Sequence, residues 1–381
     1  MQKVFVVLVI FFSFLSAVVY AESPVLSDAQ ILKTIQNAVE WFRNAQEDSG
    51  HFRYEYMPFW DRYVDDDNMV RQAGGFYVLG EVAVKMAEDF DLQGNMKKAI
   101  GYFETNSLDS VFGGYDFQCL QKTANNCTLG GTSLLLVGLL DFVEAYPDFK
   151  NKYANLIEDY KNFVMAMKMS GAGFMEKYDL EKGKNQNFRE SEFSNGEALL
   201  ALARYYLYDP SDEVKMVIED SLNYFIAKYR KQWDGNFYLW GMAALKSWYP
   251  LFPEEKYYIF VKDYTDWRIE TQQKFKKSAR NRCAYVEGVV SAYSVLEADM
   301  PSMEKRAKYL EEIDFWLTKS RVLQLKKTDT VKLIFGENSK ILVVKKPLRA
   351  IGGFMTDWWE PFQRIDFTQH CLSAYLQKLK D

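Results

Sequence analysis

Two kinds of helical segment alternate along this chain and return about six times, with a period of roughly 50 residues, which marks a repeat architecture. The first kind covers about 28–46, 94–107, 149–169, 211–230, 254–277 and 301–319. Its apolar residues fall at three- and four-residue spacing, as in Ile31, Ile35, Val39 and Phe42, so each segment has one face to bury. The second kind begins near Asp67, Thr128, Ser194, Leu239, Arg282 and Asp366, and is apolar almost throughout, which requires burial on most sides. Short glycine-aromatic turns separate the two, among them Ser49-Gly50-His51-Phe52, Gly113-Gly114-Tyr115, Gly171-Ala172-Gly173-Phe174, Asp234-Gly235-Asn236-Phe237 and Gly352-Gly353-Phe354. No single helix pair can bury its own apolar face, and closing six pairs into a ring solves that problem. The expectation is an all-α fold, an (α/α)6 toroid of six helical hairpins spanning 22–381 as one domain. One exception is expected at about 321–346, where VKLIF and KILVV flank Gly336-Glu337-Asn338 as an inserted β-hairpin.

Lys3, an apolar run from Val4 to Val19, and small residues at Val19 and Ala21 read as a signal peptide over 1–21. The mature chain is then secreted or periplasmic, and no later stretch is long and apolar enough to span a bilayer. A net charge of -5 without a basic run argues against nucleic acid. Aromatic residues make up 16% of the chain, an excess that suits stacking on sugar faces as well as core packing. Cys119 and Cys127 flank a polar loop they can clip in an oxidising compartment, while Cys283 and Cys371 fit either buried thiols or a second bridge. With His51 and His370 the only two histidines and no zinc spacing, a His-rich metal site is excluded. No phosphate loop or Gly-x-Ser-x-Gly elbow occurs either, so no cofactor is expected.

The repeats resemble those of six-hairpin glycosidase-like proteins and the related toroids of terpenoid cyclases and prenyltransferases. Trp233-Asp234-Gly235-Asn236-Phe237-Tyr238-Leu239-Trp240-Gly241 is similar to the aspartate-glycine-aromatic-glycine turns of the cyclases. The resemblance covers essentially the whole mature chain and concerns architecture. It implies that the inner helices point their N-termini at one mouth of the ring, where functional residues gather.

Three polar clusters sit at such helix starts. The first holds Tyr54, Tyr56, Asp61, the acidic run from Asp65 to Asp67, Arg71 and Gln72; Asp67 fits a helix N-cap, whereas Arg71 and Gln72 open an apolar helix that offers little reason for a guanidinium. The second holds Glu192 and Glu197, with Ser194 and Glu197 spaced as a capping box and Glu192 left as the better acid or base. The third holds Trp358, Trp359, Arg364, Asp366 and His370, with Asp366 and Gln369 again spaced as a capping pair.

Glycoside hydrolysis needs two carboxyl groups, one to protonate the leaving oxygen and one to attack or to activate water. Asp66, Glu192 and Asp366 are the candidates from three hairpins, joined by His370 as an acid or base. Tyr54, Tyr56, Arg71, Gln72, Glu197, Trp240, Trp358, Trp359 and Arg364 make up the expected substrate-binding set. The leading expectation is an exported enzyme hydrolysing a poly- or oligosaccharide. Two alternatives stay open: a non-catalytic envelope toroid that binds a glycan or protein, and a uronate lyase or epimerase that works through tyrosine, Arg71 and His370.

Overall fold

A computed structural model of the chain describes residues 25–379, apart from 124, 184–188, 298, 299, 301, 336 and 337. The expected signal peptide and the tip of the 321–346 hairpin lie outside the described residues.

Six amphipathic helices form an outer layer: α1 (Asp28–Ala45), α3 (Gln93–Thr105), α5 (Lys150–Ala166), α7 (Asp212–Lys231), α9 (Glu255–Gln273) and α11 (Met303–Arg321). Six apolar helices form the inner layer: α2 (Met69–Lys85), α4 (Leu129–Ala145), α6 (Glu192–Tyr208), α8 (Gly235–Trp248), α10 (Cys283–Leu296) and α13 (Ile365–Lys378). A single turn, α12 (Pro347–Ala350), precedes the last of them. Each inner helix packs on the next, and α13 returns to α2, so the ring is closed. The first outer helix, α1, packs on the last inner one, α13, and so fastens the beginning of the ring to its end. The (α/α)6 toroid expected from the repeat is the fold observed.

Local chemistry sets the helix starts. Ser27 and Gln30 form a reciprocal capping box on α1, and Ser211 caps α7. Asp234 accepts from the amides of Asn236 at 2.6 Å and Phe237 at 3.3 Å, so α8 begins four residues before the expected Leu239. The glycine-aromatic motif at 234–237 is therefore the first turn of a helix and not a separate loop. Three further starts differ from expectation. Asn68, not Asp67, caps α2; Ser191 precedes α6, placing Ser194 and Glu197 inside the helix; and Arg364 precedes α13, so Asp366 lies within its first turn.

The glycine turns have a shared construction. Isolated bridges pair Gln46 with Phe52, Lys168 with Phe174 and Gln324 with Phe354. The amides of Phe52, Phe174 and Phe354 then donate to Gln72 Oε1 (2.9 Å), Asn195 Oδ1 (2.8 Å) and Thr368 Oγ1 (3.0 Å) in the first turns of the following inner helices. Gly352, at φ +95°, has no room for a side chain, because a Cβ would collide with the carbonyl of Asn37 on α1.

The β content exceeds the one expected hairpin. That hairpin is present, with β7 (Thr330–Phe335) paired to β8 (Asn338–Val343). In addition, β3 (Ser107–Phe112), β4 (Tyr115–Thr123), β5 (Asn126–Thr128) and β6 (Lys177–Asp179) form a four-stranded sheet before α4 and α6. Gly113-Gly114 is its β3–β4 turn, not a helix-to-helix connection. A small sheet also joins β1 (Glu55–Met57) to β2 (Arg62–Tyr63) and to β9 (Gln363–Arg364). Both cysteine pairs are bridged, Cys119 to Cys127 across β4 and β5, and Cys283 at the start of α10 to Cys371 in the middle of α13.

Candidate active site

The β1–β9 pairing brings two distant parts of the sequence together at the mouth. Glu55 lies opposite Arg364 in register, and the Ile365 amide donates to the Tyr54 carbonyl at 3.1 Å. Tyr54 from the first hairpin thus stands beside Asp366 from the last. Arg71 bridges them: its guanidinium donates to the Tyr54 hydroxyl and meets Asp366 Oδ2 at 3.0 Å. Arg364 grips the same carboxylate from the other side, at 2.6 and 2.8 Å. Burial lowers the Arg71 pKa, a pull that Asp366 opposes and Arg364 reinforces.

These groups border a cavity of about 410 Å³, lined by Arg71, Glu197, Trp240, Asn281, Asp366 and His370 among others. Glu197 is only 5% exposed. Its carboxyl sits so close over Gly130 at the start of α4 that a Cβ on that glycine would overlap it. Burial raises its pKa to about 7, against the opposing pull of His370 and a hydrogen bond with Ser194. Near neutral pH this carboxyl therefore exchanges its proton readily, a property suited to a general acid or base.

His370 is held by Glu287 on α10, whose Oε2 lies 2.7 Å from Nδ1, and its ring stands 5.9 Å from that of Trp240. Burial disfavours its cationic form, but Glu287, Asp366 and Glu197 together outweigh burial and raise its pKa. The pKa of Glu287 is raised by burial, with His370 opposing. Glu55 is a further carboxyl with a raised pKa, because of burial and the nearness of Asp366 and Asp66, opposed by Arg364.

The structure thus gathers Tyr54, Arg71, Glu197, Trp240, Arg364, Asp366 and His370 at or beside one cavity. Other candidates stand apart from its lining. Glu192 pairs with Lys228 and accepts from the Tyr229 hydroxyl on α7. Gln72 is consumed by the Phe52 backbone, Asp67 and His51. The Tyr56 hydroxyl donates to Asp61 at 2.9 Å. Asp66 is exposed and accepts from the Asp67 amide, Trp358 is half-buried against the core, and Trp359 is 59% exposed. Among the described residues no group of His, Cys, Asp and Glu is placed to hold a metal ion. Glu287 and Asn281 were missed by the sequence reading. Glu287 lies in the second turn of an apolar helix, and an acid there is itself a signal.

No protein-family model matches the chain, and no curated protein sequence matches it either. Solved structures do. A glycoside hydrolase family 76 α-mannanase from Bacteroides thetaiotaomicron superposes with a TM-score of 0.62 at 10% identity, over 92% of this chain and 95% of that one. The chain has the six-hairpin glycosidase-like toroid fold. A sugar epimerase from a ruminal bacterium gives 0.63 at 11% identity, over 93% of this chain and 100% of that one. An inactive variant of a Salegentibacter α-1,6-mannanase in complex with α-1,6-mannotriose gives 0.62 at 11%, over 93% and 99%. At such identities the likeness is one of fold, and the chemistry has to be argued from this chain's own residues.

Proposed function

We propose that the chain is an exported carbohydrate-active enzyme that hydrolyses a glycosidic bond of a poly- or oligosaccharide in the toroid mouth. The observation that carries the reading is the buried Glu197 carboxyl, which holds a proton up to about pH 7 in the same cavity as the Asp366 carboxylate. Glu197 protonates the leaving oxygen, and Asp366, fixed by Arg71 and Arg364, is the second carboxylate of the pair. Trp240 supplies an apolar wall for the sugar ring. Two disulfides support export, since such bridges persist in oxidising compartments. Similar folds that act on mannan, or that carry a bound mannotriose, make a glycan the substrate to test first.

A second reading has its own observation. Arg71, Tyr54 and the Glu287-held His370 meet at one mouth, a set suited to moving a proton on and off a sugar carbon, as in epimerisation. A glycan panel assayed in deuterated water separates the two. New reducing ends that vanish in Glu197→Gln support hydrolysis. Solvent deuterium on a product carbon without chain cleavage supports epimerisation. Tight binding without either product supports the non-catalytic alternative and sinks the enzymatic reading.

A further inference from the structure

Not all the arginines at the mouth are neutralised. Arg71 and Arg364 each have an ion pair, with Asp366. On the adjoining sector, at the starts of α8 and α10, Arg268 and Arg282 form no ion pair among the described residues, and the Nε atom of each is buried without a hydrogen bond.

Their positions are defined by packing. The Arg268 guanidinium lies against the backbone of Gly235, the first residue of α8, where a Cβ would stand 3.2 Å from the guanidinium carbon. Arg268 also lies 5.3 Å from the centroid of the Tyr285 ring, and Arg282, which caps α10, lies 4.2 Å from that of Phe275. Stacking against a ring face leaves the in-plane N–H edges of a guanidinium open, the geometry that grips an oxyanion. Arg282 lies between Asn281 and Cys283, and Asn281 and Ala284 line the cavity, to which α8 contributes Leu239 and Trp240. The two arginines therefore stand next to the proposed sugar site.

The acids of this sector are mostly engaged: Glu360 holds Arg280 at 3.2 Å, and Asp234 attracts Arg268 without forming an ion pair. Burial, Arg280 and Arg268 all weaken the hold of Arg282 on its proton, and burial and Arg282 do the same to Lys319. The buried Glu312, which accepts from Tyr285, is already taken by Lys276 (3.0 Å), Tyr285 (2.9 Å) and Trp316 (2.7 Å). Both helix starts add their positive dipole ends to the same place. Arg282 has no ion pair of its own among these cations, and an arriving anion would supply one.

We propose that Arg268 and Arg282 form a subsite for an oxyanion borne by the glycan, a uronate carboxylate or a sulfate ester, so that the substrate is an acidic saccharide. This rests on the carbohydrate reading above and adds the class of sugar to it. The test is calorimetric binding of three oligosaccharide sets to the full mature chain: neutral manno- and gluco-oligosaccharides, oligouronates, and sulfated oligosaccharides, each at low and high salt. The expected result is that one acidic set binds at least about tenfold more tightly than the neutral set, with the advantage shrinking in salt. Which acidic set wins identifies the anion.

Arg282→Gln should abolish that advantage while leaving neutral-sugar binding and the melting temperature in place. Arg282→Lys should recover it only in part, because a lysine keeps the charge but lacks the planar fork. Neutral sugars bound as tightly as acidic ones, or an unchanged preference in Arg282→Gln and Arg268→Gln alike, would overturn the anionic subsite and leave the carbohydrate reading standing. Failure of every sugar to bind would overturn both.

Discussion

Glu197→Gln should stabilise the protein while destroying its activity, and the size of the gain follows from the burial of the carboxyl. A pKa moved from 4.5 to about 7 means that ionising Glu197 in the folded chain costs about 3 kcal/mol more than in the unfolded chain. The sign follows from proton binding. Between those two values the folded state binds more protons than the unfolded one, so stability falls as pH rises through that window and levels off above it. Glutamine has the same shape and no such titration. The variant and the parent should match below about pH 4.5 and diverge until about pH 7, with the variant ahead by roughly 2 to 3 kcal/mol. Some of the gain is returned, because His370 loses one of the three acids that favour its charge. Denaturant unfolding followed at a series of pH values measures the difference, and reducing-end release on a responsive glycan measures the activity. A residue kept for packing would show the opposite pattern, with lower stability and retained turnover. Two stability curves that run parallel from acid to neutral pH would refute the buried, proton-holding Glu197.

Four further outcomes are expected. In Glu287→Gln the His370 pKa should fall, since its nearest acid is gone; with only two histidines in the chain, NMR titration resolves it, and an unmoved value counts against the pairing. The stability that His370 gains from its charge is present below its ordinary pKa of 6.5 and is lost as pH rises through its raised folded value, so the parent's advantage should shrink towards alkaline pH. Gly130→Ala should displace the Glu197 carboxyl and cut activity sharply despite the better helix propensity of alanine; full activity would show the carboxyl free to move. Cys371→Ser opens a bridge with a sequence separation of 88, which the chain-entropy account sets at about 4.6 kcal/mol; a shift in denaturant midpoint worth under about 1 kcal/mol would contradict it. Glu192→Gln should lower stability by about 1 to 3 kcal/mol through Lys228 and Tyr229 and spare turnover; lost turnover in a stable variant would return Glu192 to the active site.

The ring was legible because its cause is periodic. Helix-spaced apolar residues, the apolar continuity of the inner segments and the repeated glycine turns each report burial, and burial decides a toroid. Helix starts were less legible where two caps competed. Asp67 and Asn68 are both good caps, and only the β-region backbone of Asn68, with its side chain bonded to the Arg71 amide, settles which one acts. The extra strands were hidden because Gly113-Gly114 matches the helix-to-helix turns of the other repeats, although Tyr115 to Cys119 alternates apolar and polar residues and β3 pairs with β4 along its whole length; only β5 relies on the distant 177–179. In the site, Arg71 and His370 were visible as polar intrusions into apolar helices. Glu197 was masked by a capping-box spacing that the chain does not use, since α6 starts at Glu192 and leaves that carboxyl inside the helix. Arg268, on an outer helix among other charged residues, carries no local sign that it forms no ion pair.

The three matching glycine turns explain why the site residues stand where they do. Gln72, Asn195 and Thr368 are each committed to an amide of the preceding turn, on the side of the helix that faces its own hairpin. The residues that reach the cavity are displaced from them by one or two positions: Arg71, Glu197, and both Asp366 and His370. A step of one or two residues on an α-helix is a rotation of about 100° or 200°, enough to carry a side chain away from its hairpin. The repeat therefore separates two duties within one helical turn: one polar residue closes the hairpin, and its neighbour is left to the mouth. This also explains why a candidate chosen only for lying at a helix start, such as Glu192, can belong to the scaffold. In this ring the angular offset from the turn-binding residue is the better guide, and it selects Glu197 over Glu192.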